Sequence, residues 1–171
     1  MFAITQLGQP VLRQIAKPVG KIKRKKLDSL ILEMIKTMRK ARGVGIAAPQ
    51  IGKSLRLFIV APQPSVRYPQ APRMQPIPMI NPRLLSHSKA MNTGWEGCLS
   101  IPGIRGRVPR YNQIRIQFYT PAGELKEAVL KGFVARIFQH EFDHINGQVF
   151  LDRVRDTRTL ITEREYRRII K

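Results

Sequence analysis

Apolar side chains recur at helical spacing in two parts of the chain. Across residues 27–42 they fall on one face of a helix, which ends at Gly43. The residues on this face are Leu27, Leu30, Ile31, Met34, Ile35, Met38 and Ala41. Residues 132–145 are apolar nearly all round and are followed by Gly147, a pattern typical of a buried helix. The pattern therefore predicts one amphipathic helix and one buried helix.

Four other segments have the patterns of β-strands. Residues 55–60 are apolar enough for a short buried strand, and residues 79–85 predict another, with Pro82 placing part of it at a sheet edge. Residues 113–119 alternate between apolar and polar side chains, and residues 125–130 are the expected returning strand after a turn. The short turn Pro121-Ala122-Gly123 indicates antiparallel pairing of the last two segments.

Together the elements predict an α+β fold. We expect small, mostly antiparallel sheets around the central buried helix, and a short basic helix from about Thr159 at the C-terminus. The chain of 171 residues is most simply one domain, residues 1–171. Residues 62–78 hold six of the 13 prolines, which excludes regular helix and central strand there. We expect this segment to be an ordered surface loop.

The chain is strongly basic, with a formal net charge of +20. Such a field attracts polyanions, of which RNA is the cytosolic one, and DNA is not an expected partner. Basic residues are dense in the run 21–26 and in the C-terminal segment 153–171, where acidic residues interleave. A solvated basic surface without a dedicated partner fits the composition equally well, so both interpretations stay open.

Cysteine content and the N-terminus indicate a compartment. The chain has 1 cysteine, so no intrachain disulfide can form and a reducing compartment is expected. The N-terminal residues 1–6 lack the layout of a signal peptide, and no apolar run is long enough to span a membrane. The sequence therefore predicts a cytoplasmic protein with no membrane partner.

The buried helix carries the motif H-E-x-x-H, formed by His140, Glu141 and His144. Two imidazoles four residues apart lie on the same helix face and can bind one metal ion, with the glutamate as general base toward a water molecule. A third ligand is required, and the sequence offers a downstream carboxylate, Glu163 or Glu165, or the upstream Cys98. Alternatively, the histidines make ordinary hydrogen bonds in the core, although buried imidazoles need partners.

Two further segments contain glycines beside polar residues. Residues 43–50 read Gly-Val-Gly-Ile-Ala-Ala-Pro-Gln, and residues 96–100 read Glu-Gly-Cys-Leu-Ser. Taken alone, the first is most simply a glycine turn and the cysteine of the second a small buried residue. A thiolate in such a loop is also a good ligand for zinc or ferrous iron.

These two segments and residues 139–144 resemble, in order and spacing, the three signature motifs of the peptide deformylases. The resemblance implies an enzyme that removes the formyl group from N-formylmethionyl nascent peptides and releases formate. It also implies one divalent metal ion, Fe²⁺ in cells, for which Zn²⁺, Ni²⁺ or Co²⁺ can substitute. The ligands implied are Cys98, His140 and His144.

The resemblance also implies roles for other residues. Glu141 is then the general acid/base, and the Gln50 amide and the Leu99 backbone N–H stabilise an oxyanion. The substrate backbone is expected near Gly45, Ile46 and Gly97, and the peptide beyond its first residue near Arg105. The methionine pocket is expected to involve Phe133 and Ile137, with parts of the proline-rich loop. Glu96 and Arg110 are expected to form a buried pair, and Arg136 to lie at the rim of the pocket.

Two other functions remain as alternatives. One is a metallo-endopeptidase that uses Glu163 or Glu165 as its third ligand, which leaves the Cys98 segment unexplained. The other is a basic RNA-binding or ribosome-binding protein whose metal ion is structural, which would require four protein ligands. A deformylase that contacts ribosomal RNA through its basic surface would combine two of these predictions.

Overall fold

The computed structural model describes residues 2–20, 24–65 and 68–170, so part of the basic run 21–26 lies outside the described residues. Eight strands and three α-helices follow one another along these residues. They are α1 (Arg24–Lys40), β1 (Gly45–Ala47), β2 (Leu57–Val60), β3 (Ile77–His87), β4 (Met91–Cys98), β5 (Ile101–Tyr111), β6 (Gln113–Tyr119), β7 (Leu125–Lys131), α2 (Gly132–Ile145), β8 (Ile161–Thr162) and α3 (Glu163–Ile169). Short 3₁₀-helices are Pro10–Arg13, Ala48–Ile51, Phe150–Arg153 and Thr157–Thr159.

The strands form two sheets that enclose α2. One sheet has five strands in the order β1-β2-β3-β6-β7, the other has three in the order β4-β5-β8, and every pairing between these strands is antiparallel. Phe138 of α2 is fully buried and meets Phe58 of β2 edge to face, with ring centroids 5.1 Å apart. The predicted α+β fold around a buried central helix is therefore confirmed.

The amphipathic helix covers the outer side of the five-stranded sheet. Its apolar face, including Met34 and Met38, packs against Ile46 and Ile59 in a second apolar cluster. The helix runs from Arg24 to Lys40, so its start is earlier and its end slightly earlier than the predicted 27–42. In the described residues, no helix is long and apolar enough to cross a membrane.

The prediction that Pro82 places part of its strand at a sheet edge is confirmed. β2 pairs with β3 along residues 77–80, and the later part of β3 has its ladder partners in β6 among the described residues. The register shifts between Ile80 and Arg83, and Asn81 has a φ of 48°. This irregularity accommodates a residue that lacks an N–H donor, because a β-bulge releases it from the hydrogen-bonded ladder.

Other elements differ from the prediction in their bounds or were not predicted. The segment 43–50, expected to be a loop, contains β1 and the start of a 3₁₀-helix. The long β4–β5 hairpin was not predicted, because glycines and prolines interrupt its apolar pattern. The C-terminal helix begins at Glu163 rather than near Thr159, where the Thr162 side chain accepts a hydrogen bond from the Glu165 N–H at 3.3 Å. The proline-rich segment is irregular until β3 begins at Ile77.

Candidate active site

The buried helix α2 directs both motif histidines to one point. His140 and His144 lie one turn apart, with ring centroids 5.1 Å apart. The Nδ1 of His140 is 2.9 Å from Glu96 Oε2, which leaves its Nε2 available. The Nε2 of His144 is 3.2 Å from the sulfur of Cys98. The spacing of the motif and the packing of the helix thus determine where the two imidazoles meet the thiol.

Cys98 is the last residue of β4, where a two-residue turn leads into β5. This turn brings the Ser100 N–H to 3.4 Å from the Cys98 sulfur. Among the described residues, one group of candidate metal ligands is found, namely Cys98, His140 and His144, whose ligand atoms all lie within 4.8 Å of one another. The predicted three ligands therefore come together.

The electrostatics of this group favour a thiolate. Burial raises the pKa of Cys98, but the charge of His144 and hydrogen bonds from His140 and His144 outweigh it. They leave this pKa well below the ordinary value of a thiol. A thiolate is the ligating form of cysteine, so the site favours the protonation state that binds metal.

A divalent metal ion fits these residues. Tetrahedral ligands with Zn–S and Zn–N distances of about 2.3 and 2.1 Å are separated by about 3.5 Å, and Cys98 Sγ and His144 Nε2 are 3.2 Å apart. The buried His144 Nδ1 and Glu141 Oε2 have no hydrogen-bond partner among the described residues. A sulfur and two imidazoles form a donor set suited to zinc or ferrous iron. Three protein ligands leave a fourth position open.

Glu141 lies beside the ligands and is buried. Burial is the largest effect on its carboxyl group and raises its pKa to about 7, against the opposing charges of His140 and His144. A carboxylate with such a pKa can accept and return a proton near neutrality. Gly45 of β1 provides space for it, because a Cβ at Gly45 would overlap the Glu141 carboxylate.

Gln50 is held with its amide nitrogen toward the metal centre. Its Oε1 accepts a hydrogen bond from the Ala47 N–H at 2.8 Å. Its Nε2 then lies 3.4 Å from the Cys98 sulfur and 3.3 Å from Ser100 Oγ. The backbone at the end of β1 thus fixes a donor at the site.

A buried ion-pair network supports the histidine ligand His140. Arg110 donates from Nε and Nη2 to the two carboxylate oxygens of Glu96, each at 2.9 Å, and from Nη1 to Asp143 at 2.6 Å. The predicted Glu96–Arg110 pair is therefore confirmed. Arg136 does not extend freely along the rim: it touches the cavity, but its guanidinium donates to Glu96 and to the Val108 carbonyl oxygen, each at 2.8 Å.

A cavity opens over the metal centre. This cavity is lined by all of the residues predicted to contact the substrate except one. Those that line it are Gly45, Gly97, Arg105, Phe133 and Ile137, together with Gln50, Leu99 and Glu141. Ile46 does not, because its fully buried side chain points into the core beneath α1.

Two cavity residues, Tyr68 and Glu163, surround Arg105, and the sequence did not assign this role to either of them by residue. Tyr68 of the proline-rich loop packs on Phe133, with ring centroids 4.9 Å apart, and its hydroxyl lies 2.9 Å from Arg105 Nη1. Glu163 of α3 accepts a hydrogen bond from Arg105 Nε at 2.6 Å. A tyrosine among prolines gives no local signal of this role, and Glu163 was considered only as a metal ligand.

Neither downstream carboxylate belongs to the metal centre. Glu163 pairs with Arg105, and Glu165 pairs with Arg168 at 2.9 Å. The group that comes together contains Cys98 instead. The arrangement therefore does not favour the endopeptidase alternative, and three ligands instead of four do not favour a purely structural metal.

Comparisons with known proteins agree with this geometry. A family model described as polypeptide deformylase matches residues 1–159. Peptide deformylase 2 of Nostoc sp. is 51% identical over 170 residues, covering 99% of this chain and 95% of that protein. The class I type b peptide deformylase of Acinetobacter baumannii, solved with bound Met-Ala-Ser, superposes with a TM-score of 0.88 at 43% identity, covering 90% of this chain and 98% of that chain.

A second solved structure extends the likeness. The peptide deformylase of Synechococcus elongatus, in complex with actinonin, has a TM-score of 0.83 at 34% identity and covers 92% of this chain and 81% of that chain. The residues matched by the family model, 1–159, include the group of candidate metal ligands on α2 and β4. The chain belongs to the polypeptide deformylase family.

Proposed function

We propose that this enzyme, a single catalytic domain, hydrolyses the N-formyl group of N-formylmethionyl nascent peptides. Cys98, His140 and His144 hold the metal ion. The observation that carries the proposal is that Cys98 and His140 of this cluster line one cavity with the proton carrier Glu141 and the donor Gln50. The cytoplasm, where formylated chains are made, is the compartment we propose.

Ferrous iron is the metal ion that we propose in cells. One thiolate and two imidazoles suit Fe²⁺ as well as Zn²⁺, Ni²⁺ or Co²⁺, so the ligands alone do not select among them. When bound, such an ion lowers the pKa of water and polarises the formyl carbonyl group. Metal analysis of protein purified without oxygen tests the choice, and zinc as the predominant metal in that sample would contradict it.

The protein groups around the metal then supply proton transfer and hydrogen bonds. Glu141 accepts the proton of the attacking water and returns it to the leaving amine, for which its raised pKa is suited. The Gln50 amide N–H and the Leu99 backbone N–H donate to the oxygen that becomes negative in the transition state. The products are formate and a peptide with a free N-terminal methionine.

The cavity walls bind the rest of the substrate. Phe133 and Ile137 provide an apolar surface for the methionine side chain. Gly45 and Gly97 permit close approach of a peptide backbone, and Ile46 contributes only through its own backbone. Arg105 lies close to Gly97, where a Cβ would be 2.8 Å from its guanidinium carbon. A peptide that passes Gly97 thus brings its later residues to Arg105.

Formate release tests the proposed reaction directly. The metal-loaded enzyme is incubated with formyl-Met-Ala-Ser, and formate and the new amine are both quantified. We expect one formate per peptide and no cleavage between residues. Activity on the internal bonds of an unformylated peptide, without formate release, would support the endopeptidase instead.

We also propose that the C-terminal segment 153–171 contacts ribosomal RNA. Support comes from the net charge of +20 and from the exposed arginines of α3. All three arginines of α3, Arg164, Arg167 and Arg168, lie near Glu163 or Glu165 of the same helix, which weakens their joint field. Neutralising these arginines is expected to reduce ribosome binding at low salt yet spare hydrolysis of a short peptide. Unchanged binding by this variant would contradict the contact.

A further inference from the structure

Arg136 and the metal ligand His140 share one carboxylate. The two residues lie one turn apart on the same helix, and both reach Glu96 of β4. Arg136 Nη1 lies 2.8 Å from Glu96 Oε1, and His140 Nδ1 lies 2.9 Å from Glu96 Oε2. The Glu96 carboxylate therefore connects Arg136, which is not a metal ligand, to His140, which is a proposed metal ligand.

The guanidinium of Arg136 is fixed on its other sides as well. It donates to the Val108 carbonyl oxygen at 2.8 Å and to the Asn92 carbonyl oxygen at 2.7 Å. Only 12% of its side chain is exposed. Gly94 makes room for it, because a Cβ there would lie 3.0 Å from the guanidinium carbon. The β4–β5 hairpin is thus shaped to receive this one side chain.

Glu96 pairs with two arginines that belong to different elements, Arg110 of β5 and Arg136 of α2. Arg110 donates hydrogen bonds to both carboxylate oxygens of Glu96 and also to Asp143, at 2.6 Å. Arg136 binds only Oε1 of this carboxylate and belongs to the helix that carries His140. It therefore fixes the carboxylate to α2 directly and one turn before His140, whereas Arg110 of β5 reaches α2 through Asp143, beyond His140.

We propose that Arg136 is a positioning residue for the metal centre. By holding Glu96 Oε1, it keeps Oε2 on the His140 Nδ1–H, so that Nε2 of the imidazole remains directed at the metal. Such outer partners set the tautomer and ring orientation of a histidine ligand. The inference rests on the proposed metal site and goes beyond its three ligands.

The test measures cobalt binding rather than turnover. Apoprotein is titrated with Co²⁺, and the absorption of the thiolate–cobalt complex gives the dissociation constant. Loss of an outer partner typically weakens metal affinity about 10- to 100-fold, and we expect this for Arg136→Met. Arg136→Lys, which retains one cationic donor, is expected to fall between the Met variant and the wild type. Arg115→Met removes an exposed arginine paired with Glu127 and should bind cobalt as the wild type does.

A purely structural role for Arg136 predicts a different pattern. It would lower the thermal midpoint of Arg136→Met but leave the cobalt dissociation constant within about twofold of wild type, and that result would overturn the proposal. Should Arg136→Met fail to fold, Gly94→Val decides, because a Cβ at this position is already 3.0 Å from the guanidinium carbon and the two added methyl groups crowd the arginine further without deleting it. Unchanged cobalt affinity in Gly94→Val would overturn the proposal, and weakened affinity would support it.

Cobalt binding and formate release distinguish failure of the metal site from failure of the proposed reaction. Wild-type protein that binds no cobalt would overturn both the metal site and the role of Arg136. Wild-type protein that binds cobalt but releases no formate would overturn the proposed reaction alone. Arg136 would then still position a metal ligand if its variants lose affinity.

Discussion

Glu141 carries the buried carboxylate to which we assign proton transfer. Its carboxylate is buried beside the ligands, and Oε2 has no hydrogen-bond partner among the described residues. A group placed in this way serves a reacting molecule better than the stability of the fold, because a buried unpaired oxygen is costly.

Replacing Glu141 by glutamine is expected to separate metal binding from turnover. Glu141→Gln keeps the size of the side chain but cannot accept a proton, so kcat should fall by about 10²- to 10⁴-fold. Metal content should stay at the wild-type level, because the residue is not a ligand. Both quantities are measured on the same sample, with the exposed Glu124→Gln as control. Substantial turnover by a metal-loaded Glu141→Gln would remove this residue from the reaction.

Gln50 must donate a hydrogen bond, whereas Glu141 must accept a proton. Gln50→Leu removes the amide that lies 3.4 Å from the cysteine sulfur. If the amide binds an oxygen that is negative only near the transition state, kcat should fall by about 10²- to 10³-fold with little change in KM. Steady-state kinetics on one formylated peptide separate the two constants. An effect confined to KM would limit Gln50 to binding the ground state.

At the scale of elements, β1 and α2 are packed too closely for a side chain at Gly45. Its backbone does not require glycine, so the space is the reason for the residue. Gly45→Ala should move the Glu141 carboxylate and reduce kcat/KM at least about tenfold, because small misplacements in an active site are costly. Gly20→Ala, where a Cβ meets nothing within 4 Å, is the matched control. Equal activity in both variants would mean that Glu141 has freedom to adjust.

The last helix is attached to the cavity through one buried ion pair. Arg105 of β5 has 4% of its side chain exposed, and Glu163 of α3 has 19%. Glu163→Gln removes the counter-charge and should lower the free energy of unfolding by about 2–3 kcal/mol. Glu165→Gln on the same helix loses an exposed pair and should cost under about 0.5 kcal/mol. Denaturant unfolding of both variants checks the difference, and equal losses would refute it.

Elements were predicted best where one periodic pattern decides them. α2 and β6 have the predicted bounds, because their apolar spacing persists from end to end. The β4–β5 hairpin was missed, since its glycines serve side chains from other elements, such as Arg136 beside Gly94. The edge position of Pro82 was predictable because proline lacks an N–H donor, whereas the bulge beside it gives no signal in local composition. The three candidate metal ligands were accessible as motifs, whereas the contacts of Tyr68 and Glu163 with Arg105 depend on the tertiary structure.

At the scale of the whole molecule, the metal ion joins α2 to β4 and should stabilise the fold. A ligand present at 100 times its dissociation constant adds about 2.7 kcal/mol. For a chain of this size, each kcal/mol shifts Tm by about 2–4 °C. Chelation should therefore lower Tm by about 5–10 °C. Cys98→Ser, with one ligand weakened, should show a much smaller shift in calorimetry. Equal shifts in both proteins would mean that the chelator acts elsewhere.

The placement of the chain's only cysteine, Cys98, makes covalent labelling a measure of metal occupancy. Alkylating reagents attack a thiolate that is free, and a coordinated thiolate is protected from them. Each chain can gain one label at most, and it gains it only while the metal is absent. Intact-mass spectrometry after a brief exposure would therefore count metal-free molecules directly, in a purified sample or in cells, without isolating the metal.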